Sequence, residues 1–186
     1  MDSKKKGGRR FVLPMRRRQG DVERVTPARF LLFFALAAAA PAAAQPQSLG
    51  VFSTWAAFRD AARCYAITQP YGAGAAQEWR PFASIGHWPA RGGGGQLHIR
   101  LSRQKREGSA VLIRIDGRSF QLVGGGRDAW APDARADVEI QAAMRNGIEL
   151  AVETRSTDGR LVRDLYRLRG AATAMDAAAI ACARRR

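Results

Sequence analysis

The chain has 186 residues, and its 31 Lys and Arg against 16 Asp and Glu give a formal net charge of +15. Arginines are scattered singly along the candidate strands and are not clustered on one face or helix, so no nucleic-acid footprint is predicted. Residues 45–186 keep 21 Lys and Arg against 13 Asp and Glu, a net charge of +8, and their length suits one domain with a sizeable core.

The first 44 residues have the three parts of a secretory signal peptide. A basic stretch precedes an 11-residue apolar run from Phe30 to Ala40, and small residues follow it. The run is too short to span a membrane, which needs about 20 apolar residues. We therefore predict a basic extension and cleavable signal peptide over residues 1–44, with cleavage between Ala44 and Gln45. The mature domain, residues 45–186, is then periplasmic or extracellular and meets the membrane only through its transient leader.

The basic stretch before the apolar run is unusually long. Arg9-Arg10 and Arg16-Arg17-Arg18 would suit a twin-arginine signal, although neither pair lies close to the apolar run. Alternatively, translation starts downstream, at Met15, Val22 or Val25. Either interpretation leaves residues 1–44 outside the folded domain.

Runs rich in β-branched and aromatic residues follow, with Gly and Pro between them, and predict a succession of strands. Asp116-Gly117 separates two such runs and favours a type I′ turn, in which both central residues have positive φ. The candidate strands are Thr54–Phe58, Cys64–Thr68, Phe82–Ile85, Gln96–Leu101, Val111–Ile115, Arg118–Val123, Ile148–Thr154 and Leu161–Leu168.

Two short helices complete the predicted fold. The first, Pro132–Asn146, has Asp133 near its positive end and Gly147 as a stop signal. A C-terminal helix begins near Thr173 and carries Cys182. We predict a mainly β domain of the α+β class, an antiparallel β-sandwich-like arrangement of about seven strands with these two helices. The core-facing stripe of the first helix is Ala136, Ile140, Ala143 and Met144.

Two cysteines remain in the predicted mature domain, Cys64 and Cys182. An even number of cysteines in an exported chain predicts a disulfide, and two cysteines allow a single intramolecular pairing. The alternative is a pair of free, buried thiols.

The sequence contains no convincing catalytic, metal or cofactor motif. A zinc site needs three or four ligands, and neither His87 nor His98 has Cys or Glu at ligand spacing. Ser84 lies near His87, but the Gly-x-Ser-x-Gly pattern of many serine hydrolases is missing. Gly124-Gly125-Gly126 lacks the Gly-Lys-Ser/Thr ending of a phosphate-binding loop. We therefore predict no catalytic residue, no metal and no cofactor.

The tryptophans offer a different kind of site. Trp55 alternates with a small residue in a candidate strand and is expected in the core. Trp79, Trp88 and Trp130, with His87, could line a surface that binds a peptide or a sugar. The alternative is that these side chains simply anchor packing, as most tryptophans do.

Several short motifs together carry a family likeness. They are Trp55, the strand Cys64-Tyr65-Ala66-Ile67-Thr68-Gln69, the helix end Ala142–Gly147, and the late segment Tyr166–Asp176, which contains Leu-x-Gly-φ-x-x-Ala-φ-Asp with φ apolar. In this order they resemble the invasion-associated locus B family of exported alphaproteobacterial proteins. The resemblance implies a periplasmic or envelope-associated β-rich domain, implicated in host-cell invasion in some members and without an agreed catalytic role.

The sequence thus favours a non-enzymatic exported domain that binds an envelope component or a protein partner through its sheet surface, and not nucleic acid. Two alternatives remain at this point. One is an envelope hydrolase that uses Ser84, or an Asp, with His87, and the other is a periplasmic chaperone or stress factor.

Overall fold

The computed structural model describes residues 45–72, 79–92 and 94–183. The predicted leader, residues 1–44, lies outside the described residues. The described chain forms ten strands and two α-helices, with a short 3₁₀ helix at Pro89–Arg91. The strands are β1 (Gln47–Phe52), β2 (Trp55–Arg59), β3 (Cys64–Thr68), β4 (Phe82–His87), β5 (Gly95–Arg100), β6 (Val111–Ile115), β7 (Arg118–Gly125), β8 (Asp128–Trp130), β9 (Glu149–Arg155) and β10 (Leu161–Arg167), and the helices are α1 (Ala134–Asn146) and α2 (Ala171–Ala183).

These strands form one open antiparallel sheet in the order β1-β2-β3-β4-β5-β8-β7-β6-β9-β10. The long strand β7 pairs with β6 through residues 118–122 and with β8 through residues 123–125. Because β7 is shared, the two halves join edge to edge within one sheet. The mainly β, antiparallel fold with two helices, the last of them C-terminal, is confirmed. The predicted sandwich is corrected to a single open sheet, because the sequence does not reveal that one strand serves both halves.

The sheet has ten strands and not about seven. The eight candidate runs all form strands, and the two further strands, β1 and β8, give weak sequence signals. Strand β1 alternates poorly between buried and exposed positions, and its register with β2 shifts between Ser48 and Gly50. Strand β8 has only three residues. Three residues are too few for a period-two pattern to stand out from a loop.

The core lies on one face of the sheet, which we call the inner face, and both helices pack there. In α1 the Asp133 carboxylate accepts a hydrogen bond from the Ala136 N–H at 2.8 Å, a helix cap that is typically worth about 1 kcal/mol. Ile140, Ala143 and Met144 are buried, so the predicted helix and its stripe are confirmed, with Ala136 half-buried.

The hairpin between β6 and β7 has the predicted geometry. Asp116 has a φ of 44° and Gly117 a φ of 88°, as a type I′ turn requires at its two central positions. The Asp116 carboxylate also accepts a hydrogen bond from the Ile148 N–H at 2.9 Å. The turn residue therefore also fixes the start of β9 against the β6–β7 hairpin.

The predicted disulfide is confirmed. Cys64 of β3 and Cys182 of α2 are bonded, with their Cα atoms 5.7 Å apart and a sequence separation of 118. Both cysteines are almost completely buried. The bond therefore fixes the last helix against the inner face of the early strands.

One carboxylate of β10 faces the core. Asp164 lies on the same face as the buried Val162 and Tyr166, and its own exposure is 5%. The Ser102 N–H donates a hydrogen bond to Asp164 Oδ2 at 2.9 Å. Burial raises the pKa of Asp164, and the hydrogen bonds from Ser102 offset only part of that effect.

We expect Asp164→Asn to remove a pH dependence of stability. Because the pKa of Asp164 is higher in the folded than in the unfolded state, its contribution is complete below the unfolded value and is lost as the pH rises through the folded value. Asparagine keeps an acceptor for the Ser102 N–H and does not ionise. Thermal melts between pH 3.5 and 7.5 should show the wild type losing stability relative to the variant as the pH rises. A constant difference over this range would contradict the prediction.

Candidate functional site

The outer face of the sheet, opposite the helices, carries a row of stacked rings. Residues Ser84, His98 and Trp130 are cross-strand neighbours on β4, β5 and β8, so their side chains share this face. The Trp130 and His98 rings stack at 5.2 Å with an interplanar angle of 7°, and Phe82 meets His98 edge-on at 5.0 Å. The imidazole is therefore held between two aromatic rings.

Charged side chains adjoin this row. Asp128 Oδ1 lies 2.8 Å from His98 Nε2 and accepts a hydrogen bond from Arg100 Nε at 3.1 Å. Partial burial raises the pKa of Asp128, but the hydrogen bonds from His98 and Arg100 outweigh it and lower the pKa overall. The Arg100 guanidinium also lies 5.4 Å from the centre of the Phe82 ring. Asp128 thus holds both a histidine and an arginine in place beside the rings.

A second aromatic group lies one row further along the same face. The Arg63 guanidinium is 4.6 Å from the centre of the Tyr65 ring and 5.9 Å from that of Trp88. The Phe58 and Tyr65 rings are 5.6 Å apart. Gly86 pairs with Tyr65, and a Cβ at Gly86 would come within 2.5 Å of the Trp88 ring. The glycine therefore leaves the space in which the Trp88 ring lies against the sheet.

The two groups lie on neighbouring rows of the same sheet face, and we call them together the aromatic face. Every member is half-buried, so part of each side chain reaches the surface. Cation–π contacts at such sites are worth about 0.5–1 kcal/mol each, which favours a rigid arrangement over freely moving side chains. The aromatic face comprises Phe58, Tyr65, Phe82, Trp88, His98 and Trp130 with Arg63, Arg100 and Asp128.

The structure brings together two of the four residues predicted to form a ligand surface. Trp88 and Trp130 belong to the aromatic face. Trp79 lies at the end of β5, where its Nε1 donates a hydrogen bond to the Leu101 carbonyl at 2.6 Å. His87 pairs with Cys64 on the inner face and is 7% exposed. It therefore lies under the sheet beside the disulfide and not on the aromatic face.

The sheet also separates the pair considered for a hydrolase. Ser84 and His87 are three residues apart in β4, so their side chains lie on opposite faces of the sheet. The Ser84 hydroxyl donates its hydrogen bond to the backbone carbonyl of His98 at 3.5 Å, and the acceptor is therefore not an imidazole nitrogen. No nucleophile–base pair is assembled from Ser84 and His87.

Two further properties of the described residues bear on the site. Within 45–72, 79–92 and 94–183, no cluster of three or more His, Cys, Asp and Glu residues has the geometry of a metal site. No helix in the described part of the chain is long and apolar enough to cross a membrane.

Comparison with solved structures identifies the architecture. The crystal structure of invasion associated protein B from Bartonella henselae superposes with a TM-score of 0.54 over 76% of this chain and 99% of that one, at 14% sequence identity. This chain has the fold of invasion associated protein B. The resemblance predicted from the sequence motifs is thus confirmed for the fold. No family model and no curated protein matches the chain.

The motifs that suggested the invasion associated protein B fold meet in space. Trp55 is fully buried, and its Nε1 donates a hydrogen bond to the Arg167 carbonyl at 2.9 Å. The neighbouring Thr54 hydroxyl contacts the Arg167 and Arg169 carbonyls at 3.2 and 3.3 Å. Gly170 lies directly against the backbone of Phe52. Trp55 and Gly170 therefore join the first strands of the fold to its last strand and helix.

The sequence does not reveal His98 as the central residue of the aromatic face. The alternation in residues 96–101 predicts that His98 lies on the polar side of its strand, but it does not predict which side chains the imidazole contacts. Its ring partners Phe82 and Trp130 come from β4 and β8, and the sequence pattern places Trp130 just before a helix. Only the strand order β4-β5-β8 brings the three rings together.

Proposed function

We propose that residues 45–186 form an exported, envelope-associated, non-enzymatic domain that binds an acidic surface of a partner protein through the aromatic face. The leader pattern supports export, and the resemblance to invasion-associated proteins supports a place in the cell envelope. The proposal concerns recognition at the envelope and assigns no reaction to the chain.

The composition of the aromatic face carries this proposal. Trp, Tyr, Phe and Arg are the residues enriched at protein–protein interfaces and at their energetic hot spots. Here they occupy adjacent rows of one sheet face in fixed orientations. Val123, which pairs with Trp130 on the same row, is 50% exposed and extends the face with an apolar side chain. Such a surface offers area for a partner to bury at little cost in side-chain entropy.

The positive charge of the domain favours an acidic partner. Arg63 and Arg100 lie among the rings, where they pair with Asp60 at 3.2 Å and with Asp128 at 3.1 Å, and their side chains remain 39% and 40% exposed. The predicted mature domain also carries a net charge of +8. Such a positive field raises the association rate with acidic partners and lowers it with basic ones.

Site-specific photo-crosslinking tests the proposal. A benzophenone amino acid replaces Val123 beside the aromatic face, or Ile180 on α2, which has a similar exposure of 52%. The protein is expressed in its native host, irradiated and analysed for covalent adducts. We expect one dominant partner from the Val123 position and none from the Ile180 position. Adducts that are absent, or equal at both positions, would contradict the proposal.

Charge reversal supplies the matched control. Arg100→Glu should reduce the Val123 adduct at least tenfold, because it removes a cation from the aromatic face. Arg135→Glu changes the same charge on α1, where the side chain is 89% exposed and pairs with Glu139. It should leave the adduct unchanged. Equal losses in the two variants would show general charge attraction and would contradict binding at the aromatic face.

A further inference from the structure

Three segments of the chain meet at the end of the sheet where β5 ends and β6 begins. The connection between these two strands, residues 101–109, lies between the β7–β8 turn at residues 126–127 and the β9–β10 connection at residues 155–160. Four main-chain hydrogen bonds join it to them, namely Leu101 N–H to Arg127 O, Lys105 N–H to Gly126 O and Arg106 N–H to Arg155 O, each at 2.8 Å, and Thr157 N–H to Gln104 O at 3.1 Å. The three segments therefore form one surface, which we call the basic end.

The basic end concentrates the positive charge of the domain. It carries six cations against two carboxylates, an excess of four charges, which is half of the net charge of +8 on residues 45–186. The five arginines are exposed and the lysine is half-buried. The cations are Arg103, Lys105, Arg106, Arg127, Arg155 and Arg160, and the carboxylates are Glu107 and Asp158. These cations are dispersed in the sequence, and the fold brings them together.

Carboxylates neutralise little of this charge within the part of the chain that the structure describes. There, Arg160 is the one cation of the six with an ion pair, to Asp158 at 3.6 Å. Asp158 also accepts hydrogen bonds from the Ser156 hydroxyl and the Arg160 N–H. Asp128 follows Arg127 directly, but it already contacts the side chains of His98 and Arg100 on the aromatic face.

Contacts within the fold hold some of these arginines in place. The Arg127 guanidinium lies 4.2 Å from the centre of the Trp79 ring, and Arg155 Nη1 donates a hydrogen bond to the Gly159 carbonyl at 3.2 Å. Side chains that are already ordered lose less entropy when they bind an anion. The guanidinium group also matches the oxygens of a phosphate with paired hydrogen bonds.

The residue types at the basic end favour a membrane over a protein partner. Protein interfaces depend on buried aromatic or aliphatic anchors, and the one large apolar residue in these three segments, Leu101, is itself buried in the core. A layer of anionic headgroups requires positive charge alone, and clusters of about 4–8 Lys and Arg are typical of surfaces that bind it. An exported chain also meets membrane lipid and not DNA.

We propose that the basic end binds the surface of a membrane that contains anionic phospholipid, through its arginines and the lipid phosphates and without insertion into the hydrocarbon. The choice of a membrane rests on the predicted export, which is also part of the proposed function. The basic end and the aromatic face are different surfaces, so binding at one can fail while binding at the other persists.

Co-sedimentation with lipid vesicles tests the proposal. Residues 45–186 are mixed with vesicles of phosphatidylcholine alone, or of equal parts phosphatidylcholine and phosphatidylglycerol. We expect binding to the anionic vesicles only, and at least tenfold weaker binding when NaCl rises from about 0.1 to 1 M, because the screening length falls from about 10 to 3 Å. Equal binding to both vesicles, or none to the anionic vesicles at low salt, would overturn the proposal. Tighter binding to a DNA duplex at equal phosphate concentration would assign the surface to nucleic acid and would also overturn it.

A pair of charge-matched variants locates the binding surface. Arg103→Gln with Arg106→Gln should weaken binding to the anionic vesicles about tenfold. Arg118→Gln with Arg135→Gln removes the same charge from exposed positions in the β6–β7 turn and on α1, and should change binding less than twofold. Equal losses in the two variants would show general charge attraction and would overturn binding at the basic end.

A measurement on the wild type tests the location without any substitution. Nanodiscs of the anionic composition, with a gadolinium-chelating lipid headgroup, are added to the isotopically labelled domain. The amide resonance of Gly108, a turn glycine at the basic end, should broaden. That of Gly117, in the β6–β7 turn at the opposite end of β6, should not. Equal broadening of both resonances, or broadening of Gly117 alone, would overturn the proposal.

Discussion

Replacing both disulfide cysteines, as in Cys64→Ala with Cys182→Ala, should lower the free energy of unfolding by about 5 kcal/mol. The bond closes a loop with a sequence separation of 118 residues, and chain-entropy arguments give about this value for such a loop. For a domain of this size the loss corresponds to a decrease in melting temperature of roughly 15 °C. The disulfide has this effect because it restricts the unfolded chain, whose N- and C-terminal parts are otherwise far apart.

The control for this variant is the wild type with a reducing agent. Reduced wild type and double-alanine variant should melt at similar temperatures, and the reductant should not affect the variant. A decrease of less than about 3 °C in the variant would show that the folded domain holds α2 against β3 without the bond. Such a small decrease would contradict a stabilising role for the disulfide.

Gly170→Ala should cost about 3 kcal/mol, or roughly 10 °C in melting temperature. Gly170 has a φ of +91°, a left-handed conformation that costs a residue with a Cβ about 1–2 kcal/mol. An added Cβ would also overlap the carbonyl oxygen of Phe52, and such overpacking typically costs 1–3 kcal/mol. The backbone of Phe52 cannot move away without disturbing the end of β1.

A matched glycine separates these two contributions. Gly159 has a φ of +83°, but nothing lies within 4 Å of the position that its Cβ would take. Gly159→Ala should therefore show only the conformational cost, about 1 kcal/mol. Equal losses for the two variants in thermal or urea unfolding would contradict the close approach of Gly170 to Phe52.

Much of the local structure of this protein can be predicted from its sequence. Asp133 at the positive end of α1, and Asp116-Gly117 as a turn with two positive φ angles, follow from the chemistry of a few neighbouring residues. The disulfide is also predictable, since two cysteines permit a single pairing. In each case the signal and its structural consequence lie close together in the chain, or the alternatives are few.

Long-range pairing is not predictable in the same way. The division of β7 between β6 and β8 decides that one open sheet forms, and nothing in residues 118–125 marks the point where the partner changes. Asp164 illustrates a second difficulty. Its position in β10 places it on the inner face. From the sequence alone, a carboxylate in a strand is expected to face solvent, because its buried hydrogen-bond partner, the Ser102 N–H, cannot be identified.

The candidate site is predictable only in part. Residue type points to Trp88 and Trp130 as candidates, because tryptophan is enriched at protein–protein interfaces. The prediction that His87 joins them is wrong, because the parity of β4 turns its side chain to the inner face. The sequence assigns no such role to His98, because its stacking depends on the order of three strands. A resemblance based on Trp55 and Gly170 predicts the fold and not the site, since those residues hold the sheet together.

The measurement that tests the central claim most directly is the intact mass of the protein, together with the cell fraction of its native host in which it is found. Samples are alkylated with and without prior reduction. An exported, disulfide-bonded domain predicts a chain that begins at Gln45, with both cysteines alkylated only after reduction. A full-length chain with freely alkylated Cys64 and Cys182 would contradict export, and the basic residues 1–44 would then belong to the working protein.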